Sequence, residues 1–139
     1  MNPGNTAHNP APDAYPCHGA TEHGACPSCA SGERLGFGFS YAFQPIVDLR
    51  SRQIFAHEAL VRGTAGEPAP TVLAQVNEDN RFRFDQAGRV KAIKTAARLG
   101  MQSRLSINFM PNAIYRPELC IRSTLEAARA HDFPVERII

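Results

Sequence analysis

The sequence has no run approaching the roughly 18 consecutive apolar residues of a membrane span, which excludes a helical transmembrane protein. It also has no apolar stretch behind a basic start: it opens MNPGNTAHNPAPDAYP, so no secretory leader is expected. Cysteine is scarce. Four in 139 residues are too few for a disulfide scaffold, and without a leader the expectation is reduced thiols in a cytoplasmic protein. Charge of either sign is nearly cancelled, with 15 Lys and Arg against 13 Asp and Glu. The net +2 is too small to hold a nucleic-acid polymer by bulk electrostatics. What remains, 43% hydrophobic and 20% charged, is the balance of a soluble globular chain long enough for one domain.

Composition divides the chain near residue 36. Residues 1–36 hold five of the 11 prolines, five of the ten glycines, three of the four cysteines and three of the five histidines. Such a segment buries too little to offset its ordering entropy and reads as a flexible, irregular tail. Residues 37–139 are apolar-rich and periodic and form the folded body.

The body opens with SYAFQPIVDL, residues 40–49, and IFAHEALVR, residues 54–62, two runs of β-formers. About four polar residues separate them. A parallel crossover needs a dozen or more, so the pair predicts an antiparallel hairpin. GTAGEPAP reads as loop. Residues 71–79 predict a short helix with Thr71 at its N-cap, and Asp85 a cap for a longer helix to Leu99, closed by Gly100. RLSINFM, residues 104–110, predicts a third strand. Pro117 suits the first turn of another helix with Ile121, Leu125 and Ala128 on its apolar stripe. VERII, residues 135–139, reads as a fourth strand. After the hairpin the order is that of an α/β protein with parallel strands.

Alternation places Glu58, Leu60 and Arg62 on one face of the second strand, with His57, Ala59 and Val61 on the other. A carboxylate suits a hard divalent cation, and a guanidinium fork suits a phosphate. The plainer reading is an intrastrand Glu58–Arg62 ion pair. Asn108 stands near the C-terminal end of the third strand, where β/α proteins keep their chemistry, and its carbonyl is a neutral oxygen donor. The plainer reading there is a turn-forming Asn ahead of Pro111.

FQPIVDL, EALVR and LSINFMP, in this order and at these separations, resemble the EAL domain family, whose members hydrolyse the bacterial second messenger cyclic di-GMP to linear pGpG. The likeness spans about residues 38–139. It implies a modified TIM barrel whose first strand is antiparallel to the rest. By resemblance Glu58 and Asn108 match catalytic metal ligands for Mg²⁺ or Mn²⁺, Arg62 a phosphate contact, and Gln44 and Leu60 positions lining the dinucleotide site. A full barrel takes about 250 residues. The body offers about four strands and ends before the family's further acidic motifs, so an incomplete, truncated domain is expected, inactive as a phosphodiesterase when isolated. The alternative is a non-catalytic EAL-derived module that binds ligand, a protein partner or a second copy of itself.

In the tail, Cys26-Pro-Ser-Cys29 is a CxxC, with Cys17 nine residues before it and His18 and His23 between. Cys17, His23, Cys26 and Cys29 have the donor types of a tetrahedral structural zinc site. A redox CxxC wants a strand before it and a helix after it, which this Gly/Pro-rich stretch does not supply. Solvated free thiols are the third outcome. Cys120 reads as a small core residue of the last helix.

Overall fold

Two β-forming runs joined by a short polar turn can pair only back on themselves, and they do. The computed structural model describes residues 35–110 and 117–139, the backbone alone for 117–120. The four tail residues with zinc-donor chemistry and the Pro111–Asn112 stop lie outside the described residues, as does the Cys120 side chain. Strand β1 (Ser40–Asp48) pairs antiparallel with β2 (Gln53–Arg62). Asp48 closes the turn: it accepts the Ser51 hydroxyl at 2.8 Å and the Arg50 N–H at 2.9 Å. The Ser51 hydroxyl, with the Arg50 amide, holds its carboxyl below the usual carboxylate range. Register shifts between Ile46 and Val47, leaving Phe55 without a partner.

There follow α1 (Ala69–Leu73), α2 (Arg81–Arg98), β3 (Arg104–Ile107), α3 (Pro117–Ala130) and one 3-10 turn, Val135–Arg137. Strand β3 lies parallel to β2, giving the order β1-β2-β3. The predicted hairpin, the parallel third strand and the helical start at Pro117 are all present.

Four boundaries differ from expectation. The first helix begins at Ala69 and is five residues long, so Thr71 lies inside it and Pro68 takes the N-cap. Pro70, with its φ already near helical values, favours this earlier start. Helix α2 begins at Arg81 behind Asn80, so Asp85 is an interior residue, not a cap. Strand β3 stops at Ile107 because the Met110 N–H goes to Asp85 Oδ1 at 2.8 Å, not to a neighbouring strand. Residues 135–139 are no strand: Arg137 and Ile138 spend their N–H groups on Pro134 and Val135. Only a parallel bridge from Ile138 to Leu105 follows, flanked by Ile139 N–H to Leu105 and Ile107 N–H to Ile139, 2.9 and 3.0 Å.

The main helix ends are closed by their sequence. Gly100 takes φ 65°, and Met101 N–H reaches back to Ala96 at 3.0 Å while Gly100 N–H reaches Ala97 at 2.9 Å. This is the Schellman pattern, and it is why a glycine stands there. The end of α3 repeats it with Asp132 at φ 53° and Phe133 N–H on Ala128 at 2.8 Å.

The core lies on one side of the sheet. Ala59, Leu105 and Ile107 pack against Ala92, Ile93 and Ala96 of α2 and Ala127 and Ala128 of α3, with Phe133 beneath. The small alanines let the helix backbones approach closely. The predicted α3 stripe is shifted: Thr124, Ala127 and Ala128 are buried while Ile121 is exposed. A second cluster joins Phe39, Val72 and Phe84, with the rings of Phe39 and Phe84 centred 5.0 Å apart. No described helix is long and apolar enough to cross a membrane.

Candidate functional site

The face of the sheet that carries no described helix holds the candidate residues. Alternation along β2 turns Ala59 and Val61 into the apolar clusters, so Glu58, Leu60 and Arg62 project the other way. Gln44 of β1 is the register partner of Glu58 on one side, and Ser106 of β3 its partner on the other. Paired residues share a face with Cα atoms about 5 Å apart. Three neighbouring strands thus present Gln44, Glu58 and Ser106 in one row.

Asn108 comes two positions beyond Ser106, just past the C-terminal end of β3. Its Nδ2 donates to Glu58 Oε1 at 2.8 Å. The carboxylate and the amide, 50 positions apart in sequence, therefore meet on one side of the sheet. Had they faced opposite ways, no shared role would be open to them. They are also donors of one chemical kind, oxygen ligands for a hard cation. Among the described residues no three His, Cys, Asp or Glu side chains converge, so they bring no complete set of such donors to the pair.

Arg62 lies four residues beyond Glu58, about 13 Å along an extended strand. It is half-buried, and its Nη1 donates to the Val61 carbonyl at 2.8 Å. Among the described residues Glu58 and Arg62 form no ion pair, which removes the plainer reading of the two. Leu60 sits between them, half-buried. His57 faces away and bonds through Nδ1 with the Ser103 hydroxyl at 2.7 Å.

A buried ion pair lies behind Asn108. Arg89 of α2 is 2% exposed and forms an ion pair with Asp85, itself buried. Arg89 Nε donates to Thr124 Oγ1 of α3 at 2.9 Å, and its guanidinium lies 4.7 Å from the centre of the Phe109 ring. The Tyr41 hydroxyl reaches the same helix: a Cβ on Gly88 would stand 2.7 Å from it. Burial pushes the Tyr41 hydroxyl up to about 12, against an opposing pull from Arg89. An i, i+4 Asp–Arg spacing amid alanines was the available signal; it reads equally well as a surface pair.

At the opposite end of the parallel strands a cleft of about 360 Å³ is lined by Ile54, Phe55, Ser103, Arg104 and Arg137 among others. It takes in neither Glu58 nor Asn108.

Comparison with known proteins gives a consistent picture. A family model described as the EAL domain matches residues 35–139. The crystal structure of a standalone versatile EAL protein from Vibrio cholerae O395, in its c-di-GMP-bound form, superposes with a TM-score of 0.73 at 61% identity. That match covers 76% of this chain and 44% of the Vibrio protein. The manganese and cyclic di-GMP complex of Klebsiella pneumoniae BlrP1 shares the fold, at TM-score 0.65 and 24% identity, over 74% of this chain and 26% of that one. In sequence, the blue light- and temperature-regulated antirepressor BluF of Escherichia coli K12 is 28% identical over 113 residues, 81% of this chain and 28% of BluF. The chain thus spans less than half the length of each of these relatives.

Proposed function

The chain belongs to the EAL domain family, and from that premise we propose that it is a cytoplasmic cyclic di-GMP-binding module whose site is the sheet face around Glu58, opposite the described helices. The observation that carries this reading is the Asn108–Glu58 hydrogen bond, with Gln44 in register beside it. Gln44 and Leu60 line the dinucleotide, and Arg62 takes a phosphate with its guanidinium once released from the Val61 carbonyl. The Vibrio relative, solved with c-di-GMP bound, supports the ligand class.

Glu58 and Asn108 are the residues that would hold a divalent cation, Mg²⁺ or Mn²⁺. They fit it in donor type. A bound cation would supply charge neutralisation at the phosphate and a water of lowered pKa for hydrolysis to pGpG. The Asn108 nitrogen now faces Glu58, so sharing a cation requires the amide to present its oxygen instead. Two oxygens are too few for a two-cation site. Turnover therefore belongs to assemblies that bring further ligands, and the 139-residue chain by itself binds without hydrolysing. We assign this role to the body, residues 37–139, and keep structural zinc at Cys17, His23, Cys26 and Cys29 as a separate proposal for the tail.

Calorimetric titration of cyclic di-GMP tests the binding reading. Binding to the native chain that Arg62→Ala weakens about tenfold is the expected result, the magnitude of one charge-assisted hydrogen bond. Equal affinity in both would remove the site.

A further inference from the structure

Asn108 lies outside any strand, so the β3 ladder does not fix it. Something else must hold the segment that follows. We infer that Asp85 and Arg89 are positioning residues for Asn108, an inference that rests on the site proposed above. The buried pair grips both residues that come next. Asp85 Oδ1 accepts the Met110 N–H at 2.8 Å, and the Arg89 guanidinium packs on the Phe109 ring at 4.7 Å. Arg89 is held in turn by the other Asp85 oxygen and by Thr124 Oγ1 at 2.9 Å. Helices α2 and α3 thereby clamp the chain directly behind Asn108, and its amide is left aimed at Glu58.

The choice of an ion pair has a physical logic. A buried charged pair adds little net stability compared with apolar residues of the same volume, yet removing one partner is costly. Its value here is geometric. A carboxylate accepts in two directions at once, and a guanidinium donates in a plane while offering a face to an aromatic ring. Leucines in these places would fill the space without fixing where Phe109 and Met110 sit.

The test reads Asn108 itself. In a ¹⁵N spectrum of the native chain, the Nδ2 protons of Asn108 should be displaced from the positions of a free Asn amide, as in an amide held on one partner. Asp85→Asn should return them to the free-amide positions and weaken Mn²⁺ binding, measured by paramagnetic broadening at Glu58 and Asn108, by about tenfold or more, as loss of an outer-shell partner typically does. Thr124→Val should do the same to a smaller degree, and Thr124→Ser should restore both readouts. If Asp85→Asn fails to fold, Thr124→Val against Thr124→Ser decides. An Asn108 amide that keeps its native shifts in a folded Asp85→Asn or Thr124→Val chain overturns the inference. If the native chain shows no Mn²⁺ broadening at all, the metal reading falls, while the response of the Asn108 amide to the variants still judges the clamp.

Discussion

Asn108 Nδ2 lies 2.8 Å from Glu58 Oε1, joining the end of β3 to the middle of β2 on the face that carries no described helix. Glu58 is only half-buried and Asn108 is exposed, so this bond is worth about 1 kcal/mol at most to the fold. Glu58→Ala and Asn108→Ala should therefore leave the unfolding midpoint within about 1 kcal/mol of native while removing Mn²⁺ binding. A large drop in stability with Mn²⁺ binding retained would reverse the assignment.

The chain should not convert cyclic di-GMP to pGpG with Mg²⁺ or Mn²⁺ present. One charged and one neutral oxygen leave a hard cation mostly hydrated. Catalytic groups that act as a unit lose nearly the whole effect when incomplete. Chromatographic detection of pGpG checks this. Turnover abolished by Glu58→Ala would mean that a second copy completes the site.

Gly88→Ala should destabilise by about 1–3 kcal/mol, the usual cost of overpacking. The added Cβ would stand 2.7 Å from the Tyr41 hydroxyl oxygen. Tyr41→Phe removes that oxygen, so the double variant should recover most of the loss in denaturant unfolding. Additive losses would place the strain elsewhere.

Stability should fall as pH rises from about 10 toward 12. The Tyr41 hydroxyl is pushed from 10.0 up to about 12 by burial, so in that window the unfolded chain ionises and the folded chain does not. The unfolded state then binds fewer protons, and the folded state loses ground with each step in pH. Below pH 10 the contribution is fully present. Unfolding curves for native and Tyr41→Phe chains should diverge only in the alkaline range.

Asp132→Gly should stabilise by up to about 1 kcal/mol, since Asp132 holds a left-handed conformation that glycine adopts without strain. A shift of the thermal midpoint upward checks it.

Spacing along the chain made much of this legible. The four-residue polar gap dictated the hairpin, and period-two alternation put Glu58, Leu60 and Arg62 together. The position of Asn108 after three alternating residues gave its face. The helix starts were less legible because Asp serves equally as an N-cap and as half of an ion pair. Only tertiary burial beside Arg89 and Thr124 decides for Asp85. VERII is a short apolar run that fits strand or turn alike, and Pro134 and Val135 take the amides that a ladder would need. The Arg62–Val61 contact has no signature in sequence at all.

The antiparallel hairpin also sets an order of events. Strands joined by four residues find each other in about 1–10 μs. Glu58 and Asn108 stand 50 positions apart, with α1 and α2 in the interval, and meet later. A hairpin alone is marginal, so the β1–β2 ladder is secured only when the later helices and β3 pack against it. The ladder that carries Glu58 and the segment that carries Asn108 thus share one core, and opening that frees β3 would part the two residues.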